Sequence, residues 1–376
     1  MEGKGRVLVA MSGGVDSSVA AALLLEEGYE VIGMTLQMQP CDDAAFGSPC
    51  CSTAGSTHAR GAAGVLGIPH YEMDCRQQFQ DAVLRHSWAE YSRGRTPNPC
   101  VICNERIKFG FLLDVARSLG ASKIATGHYV RIQGDRSGGI WLKRGLDRNK
   151  DQSYFLFSLD DRQLAAALFP VGQFTKTAVR EKARHLGLQN ADREESQDAC
   201  FRAEGEVYAE ILRERFQGSA RSGEVVDTQG KVLGTHQGFH RFTVGQRKGL
   251  GIALGRRAWV KAIDPESARV ILASDKRELL ATGLIATGVK WRHPFANSQP
   301  IHCAVQIRYR HAAVPALVEH LGPKSVRVTF GQPVRAVTPG QAAVFYDDDR
   351  LIGGGWIDQS FNDEDHDLPQ AENRYD

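Results

Sequence analysis

The N-terminal half of the chain alternates two hydrophobic rhythms. The mostly apolar run at 6–11 reads as a buried strand, and 30–36, 70–74 and 123–126 read as further strands. Stretches with apolar residues every three or four positions, at 17–27, 57–66, 77–93 and 104–119, read as helices. Gly28 and Gly67 stop the first two helices, and the breaker-rich segment Thr96-Pro97-Asn98-Pro99 separates the last two. Strands alternating with helices predict a parallel sheet covered on both faces, an α/β nucleotide-binding domain spanning about residues 1–206.

Beyond residue 206 the rhythm shortens. Residues 223–233 read as a hairpin turning at Asp227-Thr228-Gln229-Gly230, and short strands recur at 259–263, 269–272, 304–310, 325–330 and 342–346. This pattern predicts two small β-rich, barrel-like domains, 207–284 and 285–360, followed by an acidic disordered tail at 361–376.

Composition changes the picture little: 42% hydrophobic and 24% charged over 376 residues is ordinarily globular, with enough apolar surface for a sizeable core. The longest apolar run, 19–25, ends at Glu26 and Glu27, far short of the ~20 residues that cross a bilayer. With no signal-peptide pattern at the start, the expectation is a cytoplasmic protein without a membrane partner. The net charge of +2 is unevenly spread. Positions 363–376 take six of the 44 acids and one of the 46 bases, so the remainder holds 45 bases against 38 acids. That excess suits a nucleic-acid partner and equally a mildly basic enzyme. Eight cysteines in such a chain are not a disulfide framework. Cys41, Cys75 and Cys303 are isolated and read as structural, whereas Cys50-Cys51, Cys100-x-x-Cys103 and Cys200 need another account.

The strongest chemical signal is Ser12-Gly13-Gly14-Val15-Asp16-Ser17-Ser18, between the first strand and the first helix. Paired glycines let backbone approach a pyrophosphate, and free N–H groups at a helix start attract anions. Asp16 is placed to orient the loop or to approach a magnesium ion. The loop lacks the Gly-Lys-Ser/Thr of a Walker A motif and is not the Gly-x-Gly-x-x-Gly fingerprint. It resembles the loop of the PP-loop ATP pyrophosphatases, which cleave ATP between the α- and β-phosphates and leave AMP on a substrate oxygen. The resemblance implies ATP and Mg²⁺, with Ala10, Met11, Ser12, Gly13, Gly14, Val15, Asp16 and Ser17 lining the phosphates. Leu36 and Gly127 would frame the adenosine. Amide-forming ligases and sulfur transferases both remain open at this point.

The cysteines separate those two. Cys103 precedes the helix read at 104–119, and a helix start favours a thiolate. Cys200 lies among Asp192, Glu194, Glu195 and Asp198, which disfavour a resting thiolate but leave a more acidic persulfide ionised. Cys103 therefore reads as the nucleophile and Cys200 as the sulfur carrier. Half a zinc site is the alternative for Cys-x-x-Cys, but no second pair has matching spacing. An iron–sulfur cluster on Cys100, Cys103 and Cys200 is the chemically reasonable rival.

Together with 125–129, 150–156, 245–251, Arg308-Tyr309-Arg310 and Thr338-Pro339-Gly340-Gln341, these segments resemble the tRNA-specific 2-thiouridylase family from about residue 5 to 357. That resemblance implies a PP-loop domain followed by two β-rich domains, and 2-thiouridine synthesis at the anticodon wobble position. It implies a Cys200 persulfide resolved by Cys103, and Asn98, Pro99 and Cys100 facing the target base. His128, Lys150, Asp151, Gln152, Arg308, Tyr309 and Gln341 would touch tRNA. A sulfur-relay protein or cysteine desulfurase would supply sulfur. One departure is that the family pattern carries Asp where this chain has Cys100. A non-catalytic RNA-binding protein would share the basic segments but consume no ATP.

Overall fold

The computed structural model describes residues 4–38, 53–134, 139–193, 208–292 and 299–362. The readings made for Cys200 and its acidic neighbours 194–198, for Cys41, Cys50 and Cys51, and for the tail from 363 onward lie outside the described residues.

Five parallel strands form the first sheet, in the order β3-β2-β1-β4-β7. They are β1 (Arg6–Ala10), β2 (Glu30–Gln37), β3 (His70–Asp74), β4 (Lys123–Ala125) and the two-residue β7 (Ala167–Leu168). Val7 and Val9 point to a core shared with α1 (Val15–Glu26), α2 (Thr53–Leu66) and the Lys176–His185 helix. Leu8 points to the opposite core, under the helical run 99–118. Both faces of the central strands β1 and β2 are buried, which is why these two read as nearly unbroken apolar runs, whereas the edge strand β3 is largely exposed.

The helix expected at 104–119 starts earlier, at Pro99, with Asn98 as N-cap. It continues as a π-helical stretch, Cys103–Phe111, and closes as Leu112–Ser118. Pro99 is not a breaker here but the first helical residue, where its missing N–H costs nothing.

A four-stranded sheet, β10-β11-β8-β9, forms the middle of the chain from β8 (Gly223–Asp227), β9 (Val232–His236), β10 (Trp259–Asp264) and β11 (Arg269–Ala273). The expected hairpin turn is present: Gly230 N–H donates to Asp227 O at 3.0 Å, and the Asp227 carboxylate accepts from Gln229 and Lys231 N–H. The last sheet runs β12-β15-β14-β13-β16-β17 and closes into a six-stranded barrel by pairing β12 with β17. Its strands are β12 (Leu280–Trp291), β13 (Ile301–Gln306), β14 (Val314–Gly322), β15 (Ser325–Arg335), β16 (Ala342–Asp347) and β17 (Arg350–Phe361).

The sequence reading and the structure differ at four points. A division near 284 falls inside β12, and β17 carries regular structure to Phe361, into the stretch read as tail. The strand read at 304–310 ends at Gln306, because Arg310 takes φ 60° and His311 N–H turns back to Arg308 O at 3.2 Å. A hairpin of β5 (Val130–Gly134) and β6 (Ile140–Arg144) leaves the first domain and joins the barrel sheet through Lys143 opposite Arg350. Barrel residues Ala342, Val344, Tyr346 and Leu351 belong to the same core as Val101, Ile102 and Cys103, so the barrel and the cysteine-bearing helix share one core.

Candidate active site

The chain order of the parallel strands reverses beside β1: β2 and β3 lie on one side and β4 on the other. In open α/β sheets ligands bind outside the carboxyl ends at such a point. The loop from β1 into α1 and the Thr126-Gly127-His128 turn after β4 both emerge there. Gly13 takes φ +77°, a conformation that side chains disfavour. A Cβ on Gly127 would lie 2.7 Å from both Asp16 C and Ser17 N, so the two backbones touch only because residue 127 is glycine. Ser12 is exposed, while Ser17 Oγ donates to Gly14 O at 3.0 Å and accepts from Ser12 N–H at 3.3 Å. These hydrogen bonds within the loop hold its shape.

Three residues that hold it, Asn190, Arg193 and Lys176, lie outside every motif. Asn190 Nδ2 donates to Gly13 O and Ser18 Oγ, both at 3.0 Å, and Arg193 Nη1 donates to Gly13 O at 3.3 Å. Lys176 Nζ lies 2.7 and 2.8 Å from the two Asp16 oxygens, and the Tyr129 hydroxyl donates to Asp16 Oδ1 at 2.7 Å. A carboxylate facing an ammonium fits a loop-orienting role rather than a metal ligand. Among the described residues no group of three or more His, Cys, Asp or Glu is arranged for a metal ion.

Cys103 is buried, with Sγ 3.9 Å from Sδ of Met38, the residue that follows β2 and lies two past Leu36. Its N–H already reaches Pro99 O and Cys100 O, one turn inside the helix. The first-turn position expected for Cys103 therefore belongs to Cys100, which is half-buried. Burial pushes Cys75 up to about 11 and Cys303 up to about 12, in keeping with inert structural thiols.

The segment entering this helix is keyed into the barrel. Gln341 Nε2 donates to Thr96 O at 3.2 Å and Pro97 O at 2.9 Å, and Thr96 N–H donates to Pro339 O at 2.9 Å. Asn98 is buried and hydrogen-bonds the Tyr154 hydroxyl, which donates to Ala342 O at 3.1 Å. Arg95 bridges Glu90 at 2.8 Å and Asp358 at 2.7 Å.

Several residues expected to touch tRNA are engaged within the protein. His128 is buried between Phe109 and Phe169 and bonds Thr126 Oγ1 at 2.7 Å; burial, then Lys108, holds its pKa well below the ordinary value. The Asp151 carboxylate pairs with Arg144 at 2.8 Å and accepts from Gly145 N–H and Ser153 N–H. Gln152 Oε1 accepts from Tyr129 N–H at 3.0 Å. Lys150 is half-buried. Tyr309 packs against Phe155 with ring centres 4.5 Å apart and the planes tilted by 42°, beside half-buried Arg308. Arg247 and Lys248 are exposed in a loop braced by Gln246. Among the described residues no helix is long and apolar enough to cross a membrane.

Residues 5–204 match the family model described as tRNA methyl transferase HUP domain. Residues 210–274 match the tRNA methyl transferase PRC-barrel domain, and 281–357 the aminomethyltransferase β-barrel domain. The tRNA-specific 2-thiouridylase MnmA of Geobacter metallireducens is 47% identical over 365 residues, covering 95% of this chain and 98% of that one. The proteins of the same name from Carboxydothermus hydrogenoformans and Geotalea uraniireducens are 46% and 45% identical over 361 and 362 residues. Those alignments each cover 95% of this chain, and 98% and 96% of theirs.

Proposed function

The chain belongs to the tRNA-specific 2-thiouridylase family, and from that premise we propose that it replaces the 2-oxygen of an anticodon wobble uridine with sulfur. The uridine is flipped from its stack, since the reacting carbon is otherwise out of reach. Its 2-oxygen attacks the α-phosphorus of ATP, pyrophosphate leaves, and the adenylated oxygen becomes a good leaving group. The terminal sulfur of a Cys200 persulfide attacks C2 and AMP departs. Cys103 thiolate then attacks the Cys200 sulfur, releasing the thiocarbonyl and leaving a Cys103–Cys200 disulfide. A sulfur-relay protein or cysteine desulfurase reloads Cys200 once a reductant has opened that disulfide. Magnesium is read as travelling with the phosphates of ATP, and no step is assigned to it.

The observation that supports this reading is that a thiol and the glycine-rich loop both lie at the carboxyl ends of the adjacent strands β2 and β1. Cys103 lies against Met38 at the end of β2, and the Ser12–Ser18 loop leaves β1 next to it. An amide-forming ligase has no use for that thiol. The family-model descriptions mention methyl transfer, but a loop suited to pyrophosphate is what oxygen activation requires.

The experiment is product analysis with tRNA and ATP. AMP and pyrophosphate should form only when tRNA is present. Asp16→Ala should abolish AMP formation while leaving tRNA binding nearly intact. Release of ADP and phosphate would contradict the PP-loop assignment.

A further inference from the structure

Cys103 is only 6% exposed, so a reductant from solution has no straight path to a disulfide formed on its sulfur. Thiol–disulfide exchange requires the attacking thiolate to reach the sulfur it attacks. Cys100 meets that requirement from inside the protein. It lies three positions earlier on the same helical run, which continues from Pro99 to Ser118. Residues three apart in a helix face one another. Cys103 N–H is shared between Pro99 O and Cys100 O, the tightened bonding of a first turn. A disulfide tolerates Cα separations of about 4.4–6.8 Å, a span that one helical turn satisfies.

The two thiols differ in the way an exchanging pair requires. Cys100 is half-buried and sits in the first turn, a position that favours thiolate nucleophiles, whereas Cys103 is buried one turn inside. A dithiol from solution therefore reaches the first sulfur and not the second. In the whole sequence only Cys100 and Cys103 stand three positions apart. Burial raises the Cys75 and Cys303 thiols, and neither has a cysteine at that spacing.

We propose that Cys100 is a second resolving thiol, which resets the enzyme by exchange with Cys103; the step rests on the persulfide reading above and refines its last stage. The Cys100 thiolate attacks Cys103 Sγ in the Cys103–Cys200 disulfide. A Cys100–Cys103 bond forms, the Cys103–Cys200 bond breaks, and Cys200 departs as a thiolate ready for the next sulfur. One disulfide replaces another, so the exchange needs no oxidant. A cellular dithiol then attacks the half-buried Cys100 sulfur, is itself oxidised to a disulfide, and restores both thiols.

The test is disulfide mapping of the full-length protein after a single turnover. Persulfide-loaded protein, cleared of excess donor, is mixed with ATP and tRNA without reductant, quenched in acid and alkylated. In the parent, each 2-thiouridine formed should leave one Cys100–Cys103 disulfide and an alkylated Cys200. That disulfide should exceed Cys103–Cys200 by about tenfold or more, equivalent to about 30 mV between the two couples. In Cys100→Ser, each 2-thiouridine should instead leave a Cys103–Cys200 disulfide, with loss of Cys200 alkylation. Cys200→Ser supplies a second measurement that needs no turnover. Glutathione disulfide should close Cys100–Cys103 in that variant and release both glutathiones; glutathione retained on Cys100 would overturn the proposal. A parent that forms 2-thiouridine yet keeps Cys103–Cys200 would overturn it too, and would leave the persulfide reading standing. A pair that closes in Cys200→Ser while the parent forms no 2-thiouridine would overturn the persulfide reading, and this exchange with it.

Discussion

Replacing Arg95 with Met tests whether the barrel holds the helix that carries Cys100 and Cys103. Arg95 Nε donates to Glu90 Oε2 at 2.8 Å, Nη1 to Asp358 Oδ1 at 2.7 Å and Nη2 to Ile357 O at 3.0 Å. The Arg95 and Glu90 side chains are only 13% and 8% exposed, so this arm is a buried pair. Asp358 is 36% exposed and its arm contributes little. Met keeps the length of the side chain but leaves Glu90 buried without its cation, a change that costs about 3–5 kcal/mol. A surface pair would cost about 0–1 kcal/mol. Glu90→Gln removes the orphaned charge, so the Arg95→Met/Glu90→Gln double variant should recover part of the loss, with a coupling of roughly 0.5–3 kcal/mol. Urea unfolding of the four proteins gives these energies. Thiolation in Arg95→Met should fall further than tRNA binding, because the segment leads into the thiols rather than onto an exposed surface. A single-variant cost below about 1 kcal/mol, or no recovery in the double variant, would refute the clasp.

Arg308→Ala should weaken tRNA binding and lower the slope of log K against log salt by about one unit; an unchanged slope would mean that the barrel is not where tRNA sits. Cys100→Ser should keep a substantial part of the activity and Cys103→Ser none. A protein purified without air that carries about four irons, and loses iron and thiolation together in Cys100→Ser, would favour a cluster instead. His128 refuses in the folded protein a proton that the unfolded chain accepts near its ordinary 6.5. The stability it contributes is therefore complete above that pH and is lost as pH falls, at up to about 1.4 kcal/mol per pH unit. His128→Gln should flatten the decline in denaturation midpoint from pH 7 to 5, and parallel curves for the two proteins would contradict this.

Local signals were legible and long-range ones were not. Strands β1 to β4 and the glycine stops after α1 and α2 appear in the sequence within a residue or two of their observed ends. β7 is too short to make a pattern, and β17 is interrupted by Gly353-Gly354-Gly355, where the backbone lies against Trp291, Phe157 and Val289. The β5–β6 hairpin reads as part of the first domain by position, yet its partner strand lies some 200 residues later. The loop announced itself through its own glycines and serines. Lys176, Asn190 and Arg193, which hold it, did not, because their contacts depend on the fold. The one available hint was Lys176 at a helix start, where acidic residues are favoured and a lysine needs a specific partner.

The central claim is most directly tested by nucleoside mass spectrometry of unmodified tRNA incubated with the protein, ATP and a persulfide donor. The account predicts 2-thiouridine at the wobble position, with about one AMP released per thiolated base because one adenylation activates one oxygen. Both products should fall together in Asp16→Ala, and thiolation should vanish in Cys103→Ser and Cys200→Ser. A methylated nucleoside in place of the thiolated one, or thiolation that survives loss of either cysteine, would contradict it.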